Sequence, residues 1–270
     1  MKFWKICGGV TILLLGMLPM PSFAEEEGFF KKTSIDVKLT YASKYLSKGY
    51  DLWENAPAFQ PDIFIDLGAT GLYAGVWSSY SLENNCKDPY GDKCADWDEH
   101  DYYAGYYNSM LDSSRFKTNY DISYTYYHFF RLGTADINEL FLSVNHPEFL
   151  PRLGPSRPVP YWGLYYDWPA HGAGKEAWYL KAGVNYDIPI GENKITPSVE
   201  IGWDDGGGTF DTGHGWSYWR TALAGSFSWH GLRFEPSLYY QWSMKDSAPD
   251  NLLEDEFWFK MTVAFNVKPF

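Results

Sequence analysis

Leu232-Arg233-Phe234-Glu235-Pro236-Ser237-Leu238-Tyr239-Tyr240-Gln241-Trp242 is the stretch that decides the fold. Leu232, Phe234, Pro236, Leu238, Tyr240 and Trp242 share one face, and Arg233, Glu235 and Gln241 lie on the other. Globular strands run about five or six residues. Alternation sustained this long instead fits a tilted bilayer crossing, which takes about 9–11 residues. Ile195-Thr196-Pro197-Ser198-Val199-Glu200-Ile201-Gly202-Trp203 repeats the pattern, with Glu200 opposite Val199 and Ile201. Both stretches end in Trp, which suits the girdle at a membrane–water boundary.

Working outward, ten further alternating runs appear, at 35–41, 62–67, 72–77, 100–108, 119–129, 137–145, 158–167, 175–187, 216–228 and 256–268. The connections are alternately short and long. Gly68-Ala69-Thr70-Gly71, Ile190-Gly191-Glu192-Asn193 and Trp229-His230-Gly231 are tight turns, and residues 44–58, 81–98, 204–215 and 243–255 are long loops. The proline-rich segment 146–157 breaks the rhythm where a short turn belongs. This is an all-β pattern, an antiparallel up-and-down transmembrane β-barrel of about twelve strands.

Lys2 and Lys5, the apolar stretch Val10–Leu18 and the small-x-small site Ser22-Phe23-Ala24 read as a signal peptide over 1–24, leaving an outer-membrane β-barrel over 25–270. Cys7 precedes the apolar stretch, so it is not a lipid-attachment site. Removing the leader takes the formal charge from −12 to −14. That balance excludes nucleic acid, since little here could release counterions from a phosphate backbone. No apolar run of about 18 residues remains for a transmembrane helix. A negative mean hydropathy would ordinarily mean a soluble protein, but in a barrel only alternate residues meet lipid. Trp and Tyr, at 13 and 22 residues, suit the two interfaces. The final Phe270 fits the signal by which assembly machinery recognises a last strand, although it lies on the parity of Lys268 and Asn266.

Several motifs follow one another in order: Tyr41-Ala42-Ser43-Lys44-Tyr45 with Gly49, Gln60-Pro61, Gly71-Leu72-Tyr73-Ala74-Gly75-Val76-Trp77-Ser78, Glu99-His100-Asp101-Tyr102-Tyr103-Ala104-Gly105-Tyr106, and Asp121-Ile122-Ser123-Tyr124-Thr125-Tyr126-Tyr127. Over residues 34–145 this resembles the TorF-type (Gcw_chp) outer-membrane porin family; beyond that the likeness is one of strand rhythm. The resemblance implies a pore-forming barrel in the bacterial outer membrane and supplies no catalytic residues.

The chemistry-bearing residues are few. Cys86 and Cys94 share one loop, and an oxidising compartment favours a disulfide between them. Asp88, Asp92, Asp96, Asp98 and Glu99 crowd the same loop; they read as a solvated surface or as a cation site, without EF-hand spacing. The six histidines show no ligand spacing, and His128, between Tyr127 and Phe129, reads as a rim residue. Ser228 and His230 sit two apart at a turn, a pair that lipid-hydrolysing barrels would use, but no orienting third group accompanies them. No cofactor or metal is implied.

The polar face of the strands carries Asp36, Asp62, Asp66, Asp121, Glu139, Glu200 and Glu235 against Lys38, Lys181, Arg220, Arg233 and Lys260. Seven acids against five bases predict a weakly cation-preferring interior for small hydrophilic solutes. Twelve strands lie between the filled eight-stranded barrel and the open porin of sixteen or more. The expected partners are outer-membrane lipid and lipopolysaccharide, the barrel-assembly machinery and the solute. The competing functions are a structural or adhesive barrel and a lipid-modifying enzyme.

Overall fold

The computed structural model describes residues 32–53, 55–83, 98–130, 135–171, 174–207, 214–244 and 255–267. The leader, Cys86, Cys94, Asp88, Asp92, Asp96 and Phe270 lie outside the described residues. Twelve long strands form the wall: β1 Ser34–Ala42, β2 Ala58–Asp66, β3 Leu72–Ser81, β4 Glu99–Met110, β5 Thr118–Phe129 and β6 Ile137–Asn145. They continue as β7 Pro158–Pro169, β8 Ala177–Tyr186, β9 Asn193–Asp204, β10 Gly215–Trp229, β11 Leu232–Ser243 and β12 Glu256–Val267. Each pairs antiparallel with its sequence neighbours, and β1 pairs with β12, Ile35 opposite Val267 through Ala42 opposite Lys260. The sheet is therefore closed and has no free edge.

Closure follows from the alternation. Ile63, Leu140, Val199, Leu223, Leu238 and Met261, from six different strands, are exposed on the outside. Their neighbours Glu139, Ser237, Gln241 and Trp258 are buried inside. This is a water-soluble protein turned inside out, and each apolar outer side chain fits hydrocarbon rather than water. Aromatic pairs cap the outer surface at the end bearing the long loops: Tyr166 and Trp178 at 4.5 Å, Trp219 and Trp242 at 4.3 Å. The register slips once, between Gly202 and Trp203 against β10, a bulge near the loop end.

The tight turns carry their own chemistry. Trp229 and Leu232 flank His230-Gly231, both at positive φ (47° and 80°), as a type I′ hairpin needs. Gly191 (φ 62°) opens the β8–β9 turn after a short extension, Ile188–Ile190, that still pairs with β9. Segment 146–157, too long for such a turn, folds back through a bridge between Leu153 and Ser156.

One connection departs from its sequence reading. The sequence pattern predicts a plain loop over residues 44–58, and β2 begins four residues before the predicted Asp62. The loop holds a two-stranded hairpin, Leu46–Ser47 with Tyr50–Asp51, turning at Lys48-Gly49 (φ 48° and 99°). It folds into the barrel.

Candidate functional site: the loop that crosses the interior

The base of this loop is a small apolar core. Ala42, Tyr45, Trp53, Ala56 and Ala58 are buried together, with Leu52 and Trp77 against them. Trp53 meets Tyr45 edge-on at 4.9 Å. Asp51 holds the return by accepting from the backbone N–H of Trp53 (3.1 Å) and of Asn55 (2.8 Å). The loop is thereby fixed to the β1–β3 wall.

Its tip reaches the opposite wall. Lys48 Nζ lies 2.8 Å from Glu139 Oε2 on β6 and pairs with Asp167 on β7. It also sits over the Tyr165 ring at 5.5 Å. β7 is six strands from β1 in a ring of twelve, so the hairpin spans the interior. Gln241 Nε2 on β11 donates to Gly49 O at 2.6 Å, and Tyr50 Oη donates to Asp204 at 3.2 Å. A Cβ on Gly49 would lie 2.4 Å from the Tyr218 ring, so both the positive φ and the close approach require glycine. Burial alone would depress the Lys48 ammonium; Glu139 and Asp167 outweigh it and hold the group above the ordinary lysine value.

Around the tip lies a level of acids at the loop ends of the strands. Glu99 and Asp101 on β4 are buried with Glu139, Asp167 beside them is half-buried, and Tyr45 Oη donates to Glu99. Glu99 was read with the solvated surface loop; its parity instead turns it inward, where 1% of it is exposed. Asp98 does remain at the loop, accepting from Ser81 N–H at 2.9 Å. Lys44 pairs with Glu256 on β12.

The other residues singled out in the sequence lie deeper on the inner face. Lys38 Nζ is 3.5 Å from Asp62, which also accepts from Tyr103 Oη at 2.7 Å. Asp121 accepts from Tyr73 Oη (2.7 Å) and Asp66 from Tyr107 Oη (3.0 Å). Glu200 accepts from Tyr218 (2.6 Å) and Tyr161 (3.0 Å) and lies 3.4 Å from Arg220. Arg220 in turn donates to Gln241 at 2.7 Å and lies over Tyr218 and Trp258. Nearer the turn end Arg233 pairs with Glu235 at 2.6 Å, and Asp36 accepts from Asn266 at 2.9 Å. Lys181 lies over Phe141 and Tyr165 without an acidic partner. Many of these side chains keep partial exposure although they face inward, Arg233 at 39% and Lys38 at 36%, so solvent reaches them inside the wall.

At the turn end the interior opens into a cavity of about 540 Å³ lined by Gly68–Gly71, Tyr107–Ser109, Asn119–Asp121, Ser143 and Asn145. Outside the wall, His128 Nδ1 is 3.1 Å from Asp136, at the rim. His230 stacks edge-on against Trp229 at 4.8 Å, and Ser228 N–H donates to Asn193, so nothing described here aligns the Ser228–His230 pair.

Sequence reasoning missed Lys44, Tyr45, Lys48, Glu99, Asp101, Asp167, Asp204 and Glu256. A signal for Lys48 existed: Lys-Gly between Ser47 and Tyr50 is a tight-turn pair inside a long loop. Nothing in it says that the hairpin points inward.

The Gcw_chp family, described as a bacterial protein of unknown function, matches residues 30–265, and the chain belongs to it. No curated protein matches the chain. Among solved structures, the NanC porin in a rhombohedral crystal form is similar with a TM-score of 0.51 at 10% identity, covering 86% of this chain and 98% of that one. The COG4313 outer membrane channel from Pseudomonas putida F1 gives 0.53 at 10% identity, covering 89% and 98%. The likeness at such identities is one of fold.

Proposed function

We propose that this Gcw_chp chain is an outer-membrane channel that passes small hydrophilic solutes passively and prefers cations weakly. The observation that carries this is a solvated, charged inner face narrowed by one inward hairpin at one end and open at the other. Asp36, Lys38, Asp62, Asp66, Asp121, Glu139, Lys181, Glu200, Arg220, Arg233, Glu235 and Lys260 line the passage in this reading. Glu99, Asp101, Asp167, Asp204 and Glu256 join the acids, while Lys44 and Lys48 join the bases, which strengthens the excess of acid.

The turn end and both termini face the periplasm, and the long loops face outward toward lipopolysaccharide. Residues 1–24 act as the cleaved leader, Cys86 and Cys94 form a disulfide in the second outer loop, and the last strand is presented to the assembly machinery. Planar-bilayer recording with the purified protein in potassium chloride tests the reading; discrete current steps are expected.

One observation favours a second reading, a structural barrel without conductance: loop 43–57 is anchored at both of its ends and at its tip. The same recording decides, because a plugged barrel stays silent until the loop is removed.

A further inference from the structure

Two lysines inside the barrel are paired with no acid. Among the described residues Lys181 and Lys260 make no ion pair or hydrogen bond, whereas Lys38, Lys44, Lys48, Arg220 and Arg233 each pair with an acid. Both stand opposite small residues across the sheet, Lys181 flanked by Gly163 and Gly202, and Lys260 by Ser237 and Ala42. Beside Lys181 the rings of Phe141, Tyr179 and Tyr218 cover the two glycines. Arg220, on β10 between them, repels both lysines, while Glu200 and Glu139 attract Lys181 without pairing with it. Its Nε is buried without a hydrogen-bond partner. Glu200 is the acid beside Arg220, and it is already shared with Tyr161 and Tyr218.

Strands β2 to β7 contain no lysine or arginine at all. A carboxylate inside the barrel therefore finds bases on β8–β12, with Lys38 of β1 taken by Asp62. Closer to the loop end lies the opposite charge: Glu99, Asp101, Glu139 and Asp167 against the one ammonium of Lys48, with Asp101 Oδ1 buried and unpartnered. These acids lie within the last three residues of their strands, while Lys181, Arg220 and Lys260 lie further in. On β8 itself Ala177 stands opposite Asp167 and Lys181 lies four residues further in, roughly 13 Å along the strand at about 3.3 Å per residue.

We infer that the interior recognises small zwitterions, with Lys181, Arg220 and Lys260 receiving the carboxylate and the acidic level admitting the ammonium. A net anion is repelled at the acidic level before it can reach the lysines. A pure cation passes that level but has nothing to hold it below. A solute carrying both charges is favoured at each. The inference rests on the channel reading and names its solute class.

Full-length mature protein in liposomes of neutral lipid, assayed for uptake of labelled glycine, succinate and choline at low ionic strength, tests this. Glycine uptake is expected to saturate and to run at least tenfold faster than succinate uptake. In the K181Q/K260Q double variant the glycine concentration giving half-saturation should rise at least tenfold, with choline flux unchanged. K181R/K260R, which keeps both charges, should stay within twofold of the parent. Succinate entering as fast as glycine, or an unmoved half-saturation in K181Q/K260Q, overturns the inference. If K181Q/K260Q does not assemble, the glycine-to-succinate ratio of the parent and the behaviour of K181R/K260R carry the decision. Failure of the channel reading looks different: no flux of choline or potassium at all. Equilibrium dialysis of glycine against detergent-solubilised protein then decides, and absence of binding that depends on the two lysines overturns the inference.

Discussion

The two ends of the barrel interior are built differently. At the loop end a hairpin with its own apolar base at Tyr45 and Trp53 crosses to β6 and β7 and is held there by Lys48. At the turn end no loop enters among the described residues, and the wall itself, through Gly68–Gly71, Asn108 and Asp121, bounds an open cavity. A wall side chain can change the size of a passage by a rotamer; a tethered hairpin can be removed while leaving the wall intact. The width of the passage is thus set by a segment the barrel does not need in order to close.

The largest effect should come from replacing residues 46–53 by a short Gly-Ser link. Single-channel conductance should rise severalfold with heat-modifiable migration retained. Unchanged conductance would mean that the narrow point lies at the turn end.

The wall itself is probed next. Val199→Arg places a charge on the outer face and should cost about 2–4 kcal/mol near the midplane, measured by denaturant unfolding in detergent or bilayers. Glu200→Gln, one residue on, faces inward. Its carboxylate serves Tyr161, Tyr218 and Arg220, so the cost should be about 1–3 kcal/mol rather than nothing. A Val199→Arg variant as stable as the parent would refute the assignment of faces.

Lys48→Met removes the distal tether and leaves Glu139 and Asp167 without their cation. Conductance should rise by about twofold with noisier open states, and cation preference should increase, because one positive charge is lost from the narrowest level. Reversal potentials across a salt gradient provide the check. A drop in cation preference would place Lys48 away from the ion path.

The pH response should be smaller still. The Lys48 ammonium is held above its ordinary value by Glu139 and Asp167, against the opposing effect of burial. A raised folded-state value means that its contribution is complete below the unfolded value of about 10.4 and is lost only as pH climbs past the folded one. The hairpin should therefore stay tethered from pH 7 to 10, read as unchanged protection of loop 43–57 from protease, and loss of protection in that window would contradict the tether.

The strand pattern was open to reading because a barrel wall is written with period two: each of β9, β11 and β12 alternates Val199, Leu238 or Met261 outward with Glu200, Ser237 or Lys260 inward. Parity also put Asp62, Glu139 and Arg220 on the inner face. The hairpin at 46–51 was not legible, because whether a loop turns in or out depends on contacts far apart in sequence. Gln241 and Gly49 are 192 positions apart, and Tyr50 and Asp204 are 154 apart. Glu99 was misread for a related reason: the acids crowding the loop before it hid the strand that starts at its position.

The central claim, an acid-dominated passage through the barrel, is tested most directly by the reversal potential of the purified protein in a planar bilayer under a potassium chloride gradient at low ionic strength. The Debye length at 0.1 M is about 10 Å, so the wall charges still act there and fade as salt is raised. The expected result is a modest reversal potential of the sign set by potassium, shrinking at high salt. Chloride selectivity at low salt would contradict the account, as would a silent membrane both before and after removal of residues 46–53.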